Sequence, residues 1–314
     1  MKTGLVLEGG AMRGMFTAGV LDVWMENGII FDGAIAVSAG ATFGCNLKSH
    51  QPYRVLRYNK KYCQDWRYCS FRSLFLTGDL YGAEFDYDRL PKKLDVFDTT
   101  TFKQDPMDFY VVATDAKTGD PLYHLCVDGK DNDLTWIRGS ASIPVFARPV
   151  HVDGYTIYDG GVADPIPYKK MFSLGYKKQV VLLTQPASYR KQPQKNMNAL
   201  RVLLKRYPEV IKDLEHRHTS YNATLDAIQV LEEQKKLFVI RPKEPLNIGS
   251  ICHDSNELDR VYKMGRLEAV KQLKSIESLF RRRVDYFSSF FLRKYMVRVA
   301  RDMMVSSSLN KKTS

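Results

Sequence analysis

Long apolar runs are missing from this chain. Nowhere in its 314 residues do the roughly 18 consecutive apolar side chains of a spanning helix occur, so a membrane can be met only at its surface. Paired cysteines are missing too. Cys45, Cys63, Cys69, Cys126 and Cys252 form an odd, scattered set with no CxxC, which argues against a disulfide framework and a zinc site and fits reduced thiols in a cytoplasm. The opening MKTGLVLEGG has one lysine and a short apolar stretch that runs into glycines, too little for a secretory h-region, so no signal peptide is expected. There is no EF-hand loop, and His216 and His218, two apart on an expected helix, face different ways with no cysteine beside them. No metal and no cofactor is expected. Internal repeats, low-complexity tracts and linkers are absent before the C-terminus.

Charge of one sign is abundant only at the end. Of a net +12, residues 281–314 carry nine Lys/Arg against two Asp, or +7, which leaves +5 for the first 280 residues. Nucleic acid and anionic lipid both attract such a tail. The chain has no recognisable base-reading module, so nucleic acid is not an expected partner.

What is present is a strand-and-helix alternation. Apolar runs at GLVLE (4–8), AIAV (34–37), DFYVVAT (108–114), VVLLT (180–184) and LFVIRP (237–242) are separated by helical patterns, which predicts an α/β fold with a sheet buried on both faces. The first helix is expected over MFTAGVLDVWMENG, with Val20, Leu21, Trp24 and Met25 inward and Gly28 as its stop. DAKTGDP (115–121) and HVDGYTIYDGG (151–161) read as hairpin turns. From about 250 the chain reads as helix, with Leu258, Val261, Leu267 and Val270 expected on one side. The expected organisation is a core domain over 1–250 and a helical extension over 251–314.

Three short stretches carry chemistry. In FDGAIAVSAGATFG (31–44) a strand enters a turn at Ser38 and leaves as a helix, with Ala36, Ala39, Gly40, Ala41 and Gly44 keeping the turn small. A nucleophile elbow needs that smallness. Serine is also a favoured helix N-cap, and the pentapeptide alone does not choose. In LVLEGGAMRG (5–14) a strand breaks at Gly9 and Gly10, and successive amides ahead of a helix can converge on an anion. GGAMRG fits neither a P-loop nor GxGxxG; an oxyanion loop is the expected reading, with a purely structural glycine turn as the alternative. In IYDGGVADPIP, Asp159 ends a short strand. No histidine sits in a comparable turn, since His124 and His151 lie within expected strands, so an aspartate held against the serine can serve as its base.

EGGAMRG, AVSAG and DGG, in that order, resemble the three motifs of patatin-like phospholipases, and RGSASIPVFARPV (138–150) resembles the segment that precedes the family's aspartate. The resemblance covers roughly residues 1–250 and is specific through the combination of motifs. It implies a three-layer α/β/α fold with a mostly parallel sheet and a Ser-Asp dyad that cleaves lipid acyl esters. Ser38 matches the nucleophile and Asp159 its base. Gly9, Gly10, Ala11 and Met12 match the oxyanion loop, Arg13 its basic residue, and Gly40 and Gly160 the supporting glycines. The chain departs from the pattern at Ala36, where glycine is usual, and at Glu8, where aspartate is frequent.

The expected partner is a lipid or other acyl ester. The aromatics of 58–87, among them Tyr58, Tyr62, Trp66, Tyr68, Phe71, Phe75, Tyr81, Phe85 and Tyr87, suit either core packing or an acyl pocket. Over 283–304, Val284, Phe287, Phe291, Tyr295 and Val299 share one arc and Arg283, Lys294, Arg298 and Arg301 another, which suits peripheral contact with a membrane or docking on the core. A cytoplasmic lipid acyl hydrolase, peripheral at most, is the expected function. The rival is a catalytically silent member of the fold that binds lipid or a partner.

Overall fold

Five parallel strands form the frame on which the three motifs hang. The computed structural model describes residues 1–287, with side chains through 278. β1 (Thr3–Leu7) passes through a 3₁₀ turn (Ala11–Arg13) into α1 (Gly14–Glu26), and β2 (Gly33–Val37) turns at Ser38 into α2 (Ala39–Lys48). Helices α3 (Arg54–Tyr62) and α4 (Phe71–Thr77), a π-helical segment (Phe85–Leu94) and α5 (Thr99–Gln104) lead to β3 (Asp108–Asp115). β4 (Pro121–Cys126) returns antiparallel, and α6 (Asp131–Ser140) precedes the hairpin of β5 (Val150–Val152) and β6 (Tyr155–Asp159). Then follow α7 (Tyr168–Ser173), β7 (Lys178–Leu182), α8 (Met197–Leu203), α9 (Pro208–Glu233), β8 (Leu237–Ile240) and α10 (Ser255–Phe287).

The sheet order is β5-β6-β3-β2-β1-β7-β8, with β4 also on β3; the run from β3 to β8 is parallel throughout. Alternation along the strands makes the layers. Leu5, Leu7, Ala34 and Ala36 belong to a core shared with α1, α2 and α10, whereas Val6, Ile35 and Val37 belong to a second core built with α7 and α9. Both faces are therefore apolar, which is why these strands read as continuous hydrophobic runs rather than alternating ones. Both expected hairpins form, and α1 stops before Gly28 at φ +66. No helix among the described residues is long and apolar enough to cross a membrane. The apolar and basic arcs expected over 283–304 lie outside the described side chains.

The last helix packs by a different stripe from the expected one. Leu258 and Val261 are buried as expected, but Leu267 and Val270 are exposed; the inward line runs through Tyr262, Gly265, Ala269 and Ile276. Residues 258 and 267 are nine apart, half a revolution out of phase on a helix of 3.6 residues per turn, so they could not share a face. The helix is held by contact that hydropathy does not register. A methyl group on Gly19 would lie 2.1 Å from the Tyr262 carbonyl oxygen, and one on Gly265 2.0 Å from that of Phe16, so the backbones of α1 and α10 cross in direct contact.

A polar pin joins the same helices. Asp22, buried on α1, accepts hydrogen bonds from the Tyr262 hydroxyl (2.6 Å) and the Tyr53 amide (2.9 Å), and the neighbouring Glu26 pairs with Arg266 at 2.7 Å. Burial pushes the Asp22 carboxyl up to about 7, against the pull of its hydrogen bonds. A folded pKa raised above the unfolded value means that this group favours the folded state below about pH 4 and that the contribution is lost as pH climbs through 7. Asp22→Asn should therefore be more stable than wild type at pH 8, by on the order of 1–3 kcal/mol, and indistinguishable from it near pH 4. Thermal melts across that range check this, and a variant less stable at pH 8 would contradict it.

Candidate functional site

Ser38 and Asp159 come together because β3 has two successive neighbours along one edge. β4 occupies the other edge over Phe109–Thr114, while β2 pairs up to Val37 opposite Val112 and β6 takes over with Asp159 opposite Ala113. The residue after Val37 is Ser38. The turn that ends β2 and the strand end that carries the carboxylate thus lie side by side, 121 positions apart in the chain.

Ser38 holds φ 54°, ψ −124°, a conformation that non-glycine residues rarely adopt and that persists only where the surroundings impose it. It occupies the N-cap position of α2, yet its side chain makes no capping bond. Its hydroxyl instead faces the Asp159 carboxylate and favours that group's charged form. Its amide donates to Ser140 Oγ at 2.8 Å, and the same segment receives the Asp159 amide at Ser142 O (2.8 Å) and the Gly160 amide at Ser140 O (3.3 Å). The end of α6 therefore fixes both partners at once. The Ala-Ser-rich stretch visible in the sequence carries this clamp, although nothing in its composition singles out Ser140.

Asp159 is buried, and the Gly161 amide donates to its Oδ1 at 2.7 Å. Burial raises the pKa of its carboxyl, while the Ser38 hydroxyl and the charge of Arg217 act the other way without cancelling it. Gly160 follows against the Val112 carbonyl, and Gly40, in the first turn of α2, lies under the carbonyls of Leu7 and Glu8.

The first glycine loop closes over the pair. A methyl group on Gly9 would stand 2.8 Å from Ser38 Cβ, so only glycine lets the loop approach this closely. The Arg13 amide turns back to Gly10 O at 3.1 Å, leaving the amides of Ala11 and Met12 ahead of the first hydrogen bond of the turn, where helix N-termini present free donors. Glu8 is buried and anchors the loop: it accepts from the Thr184 amide (2.6 Å) and the Tyr221 hydroxyl, and Thr184 Oγ1 donates to Gly9 O at 2.9 Å. The departure from aspartate at this position supplies the reach to β7 and α9.

Two cavities meet at Ser38. One is mostly apolar, lined by Met12, Phe43, Tyr58, Tyr68, Tyr87 and Leu90 among others. The aromatics of 58–87 thus divide: Tyr58, Tyr68 and Phe85 are core residues, and the first two also wall this cavity, while Phe71 and Phe75 face outward. Asp86 intrudes on it, with Oδ1 buried and without a hydrogen-bond partner among the described residues.

The other cavity is polar and holds Glu8, Arg13, Asp159, Lys191, Arg217 and Tyr221. Arg217 donates to Gly161 O, and Lys191 Nζ lies 5.5 Å from the centre of the Tyr221 ring. Burial and the neighbouring charges of Arg217 and Arg13 push the Lys191 ammonium down to about 8. Arg13 Nε is buried without a partner among the described residues. Sequence reasoning missed Lys191 and Arg217 because they sit in the segment after β7 and on α9, outside any motif.

Among the described residues one trio, His124, Cys126 and Asp133, brings ligand-type atoms within 4.8 Å of one another. It is a structural clip. Asp133 Oδ2 accepts the amides of Val127, Asp128 and Gly129, all at 2.8 Å, and Oδ1 lies 2.9 Å from His124 Nε2, whose ring stacks on Trp136.

This arrangement has relatives. A family model described as patatin-like phospholipase matches residues 5–172, and one described as a domain of unknown function matches residues 207–281. The uncharacterized protein YjjU of Escherichia coli K12 is 31% identical over 276 residues, which cover 85% of this chain and 75% of that protein. Lysophospholipase NTE1 of the yeast Meyerozyma guilliermondii is 23% identical over 286 residues, 85% of this chain and 19% of that protein; its namesake in Chaetomium globosum is 25% identical over 181 residues, 55% and 11%. The chain thus spans about a fifth or less of those lysophospholipases. Among solved structures, VipD from Legionella pneumophila aligns over 87% of this chain and 67% of its own with a TM-score of 0.46 and 14% identity. The family match across more than half of the chain, together with the 31% identity to YjjU, makes this protein a member of the patatin-like phospholipase family.

Proposed function

We propose that this chain is a lipid acyl hydrolase in which Ser38 is the nucleophile and Asp159 its general base. The observation that carries the reading is the convergence of Ser38, set in a strained turn shared by both cavities, with the buried carboxylate of Asp159. Asp159 takes the hydroxyl proton as Ser38 Oγ attacks the ester carbonyl carbon. Charge develops on the carbonyl oxygen, and the amides of the loop Gly9, Gly10, Ala11 and Met12, of which those of Ala11 and Met12 precede the turn's first hydrogen bond, are the proposed donors to it. Collapse breaks the ester bond, the departing alcohol takes the proton from Asp159, and the acyl group stays on Ser38. Water then gives a proton to the same carboxylate as its oxygen attacks the acyl carbon, and the Ser38 ester bond breaks as Asp159 returns that proton to Ser38 Oγ, releasing the fatty acid.

The two cavities divide the substrate. The apolar one suits the acyl chain, since burying each methylene contributes about 0.8 kcal/mol. The polar one, with Arg13, Lys191 and Arg217 converging, suits an anionic group on the alcohol side of the ester. Turnover of a series of lysophospholipids and p-nitrophenyl esters of increasing chain length tests the reading, with intact-mass detection of an acyl adduct on Ser38. Hydrolysis with an adduct on Ser38 is the expected result; hydrolysis with the adduct elsewhere, or none in any series, would refute it.

A further inference from the structure

Helix α4 presents an apolar face that nothing else in the described molecule covers. Phe75 is 90% exposed, Phe71 67% and Leu76 57%, whereas Leu74 of the same helix packs against the main core. The helix is held firmly at both ends. Ser70 Oγ caps it by accepting the Ser73 amide at 2.9 Å, Gly78 ends it at φ +82°, and the chain closes beneath it through Ser70 N–H to Leu80 O (3.0 Å) and Gly82 N–H to Tyr68 O (3.1 Å). Three large side chains held in water on a capped helix need a partner, because their exposure costs stability and solubility without adding to the core.

The segments that flank α4 reach the walls of both cavities. Tyr68 and Tyr81, on either side of the excursion, line the apolar cavity. The Leu80 amide donates to Phe146 O at 2.8 Å, and Phe146, itself 43% exposed, lines the polar one. The charges around the patch are cationic at its rim: the Arg72 guanidinium stacks 4.6 Å from the Trp66 ring with no carboxylate partner among the described residues, and Arg148, paired with the buried Asp79, keeps 59% of its side chain in solvent. Exposed aromatic and aliphatic side chains flanked by Arg72 and the solvent-facing side of Arg148 match an interface of acyl tails beneath anionic headgroups.

We propose that α4 is an interfacial docking element which seats Phe71, Phe75 and Leu76 in an anionic lipid surface and brings the mouths of the two cavities to the bilayer. The choice of partner rests on the hydrolase reading above; the exposed face does not. An acyl ester would then pass from the membrane to Ser38 along walls that adjoin α4 through Tyr68 and Tyr81.

The test uses the full chain carrying Ser38→Ala, so that lipid is bound without being consumed, and vesicles of phosphatidylglycerol and phosphatidylcholine. Co-sedimentation at about 0.5 M salt suppresses attraction by the basic C-terminal residues, which is electrostatic and screened, and leaves the apolar contribution. Phe75→Glu is expected to lower vesicle binding at least about tenfold, and Phe71→Glu similarly, since each places a charge where an apolar ring enters the interface. In the catalytically intact background both variants should hydrolyse a short water-soluble ester at the wild-type rate, which shows that they fold. Vesicle binding equal to wild type in both variants would overturn the proposal. So would sedimentation showing that the wild type is a dimer which Phe75→Glu dissociates, because the face would then be covered by a second copy. Failure of the wild type to cleave any soluble ester would sink the hydrolase reading while leaving vesicle binding to be read separately.

Discussion

Asp159→Asn is expected to lower kcat/KM for a water-soluble ester by about 10³- to 10⁵-fold, and Ser38→Ala by at least as much, with the fold kept in both variants. The size follows from the division of labour in the site. With no histidine between the two residues, the carboxylate alone must accept the hydroxyl proton, and an amide in its place can still bond to the hydroxyl but takes no proton. The double variant should be no slower than the worse single one, because the pair acts as a unit. A fluorophosphonate probe should label wild type on Ser38 and leave Ser38→Ala unlabelled. Full labelling of that variant, or an Asp159→Asn enzyme within tenfold of wild type, would end the dyad assignment.

If Asp159 is the base, the same carboxylate should set the acid limb of the rate. Burial raises the pKa of Asp159 and Arg217 opposes that rise, so activity should fall on acidification at a pH above the ordinary carboxylate range. Arg217→Met removes the opposing charge and should move the limb further upward. A limb that stays put would mean that a different group titrates.

How much of this was legible beforehand depended on whether a feature is local. The five parallel strands were, because a strand buried on both faces must be apolar throughout, and β1 and β2 are. The turns at Ser38 and Gly9 were, because tightness demands small residues in sequence. That Asp159 meets Ser38 was visible only through likeness to a family, since the approach depends on β6 following β2 along one edge of β3, a register no short stretch encodes. The stripe on α10 was misread because its closest contacts are glycine to backbone at Gly19 and Gly265, where hydropathy carries no signal. Lys191 and Arg217 were invisible for a further reason. A cation's meaning lies in what surrounds it, and the chain has 47 lysines and arginines.

Lys191 gives the sharpest statement about substrate. Its ammonium faces Arg217 on α9, Arg13 in the glycine loop, Glu8 at the end of β1 and Asp159 at the end of β6, with the Tyr221 ring beside it. Three cations, Arg13, Lys191 and Arg217, line this cavity against two carboxylates, Glu8 and Asp159, so its basic groups outnumber its acidic ones. On the proposed reading, an anionic group on the alcohol side of the substrate would supply the balance. Contacts to charged groups are worth about 1.5–3 kcal/mol, so Lys191→Met should reduce kcat/KM for a lysophospholipid about 10- to 100-fold and leave the monoacylglycerol of the same chain within about threefold. The pH dependence separates a charge effect from a packing effect. With its pKa lowered to about 8, Lys191 is charged below that value and loses its charge above it, so wild-type preference for the phosphate ester should fall as pH rises through 8. Lys191→Arg should keep the preference at pH 9, because guanidinium stays protonated, and Lys191→Met should show little preference at either pH. Equal preference in all three enzymes across that range would remove the anion from the polar cavity and return the choice between charged and neutral lipid esters to the acyl side alone.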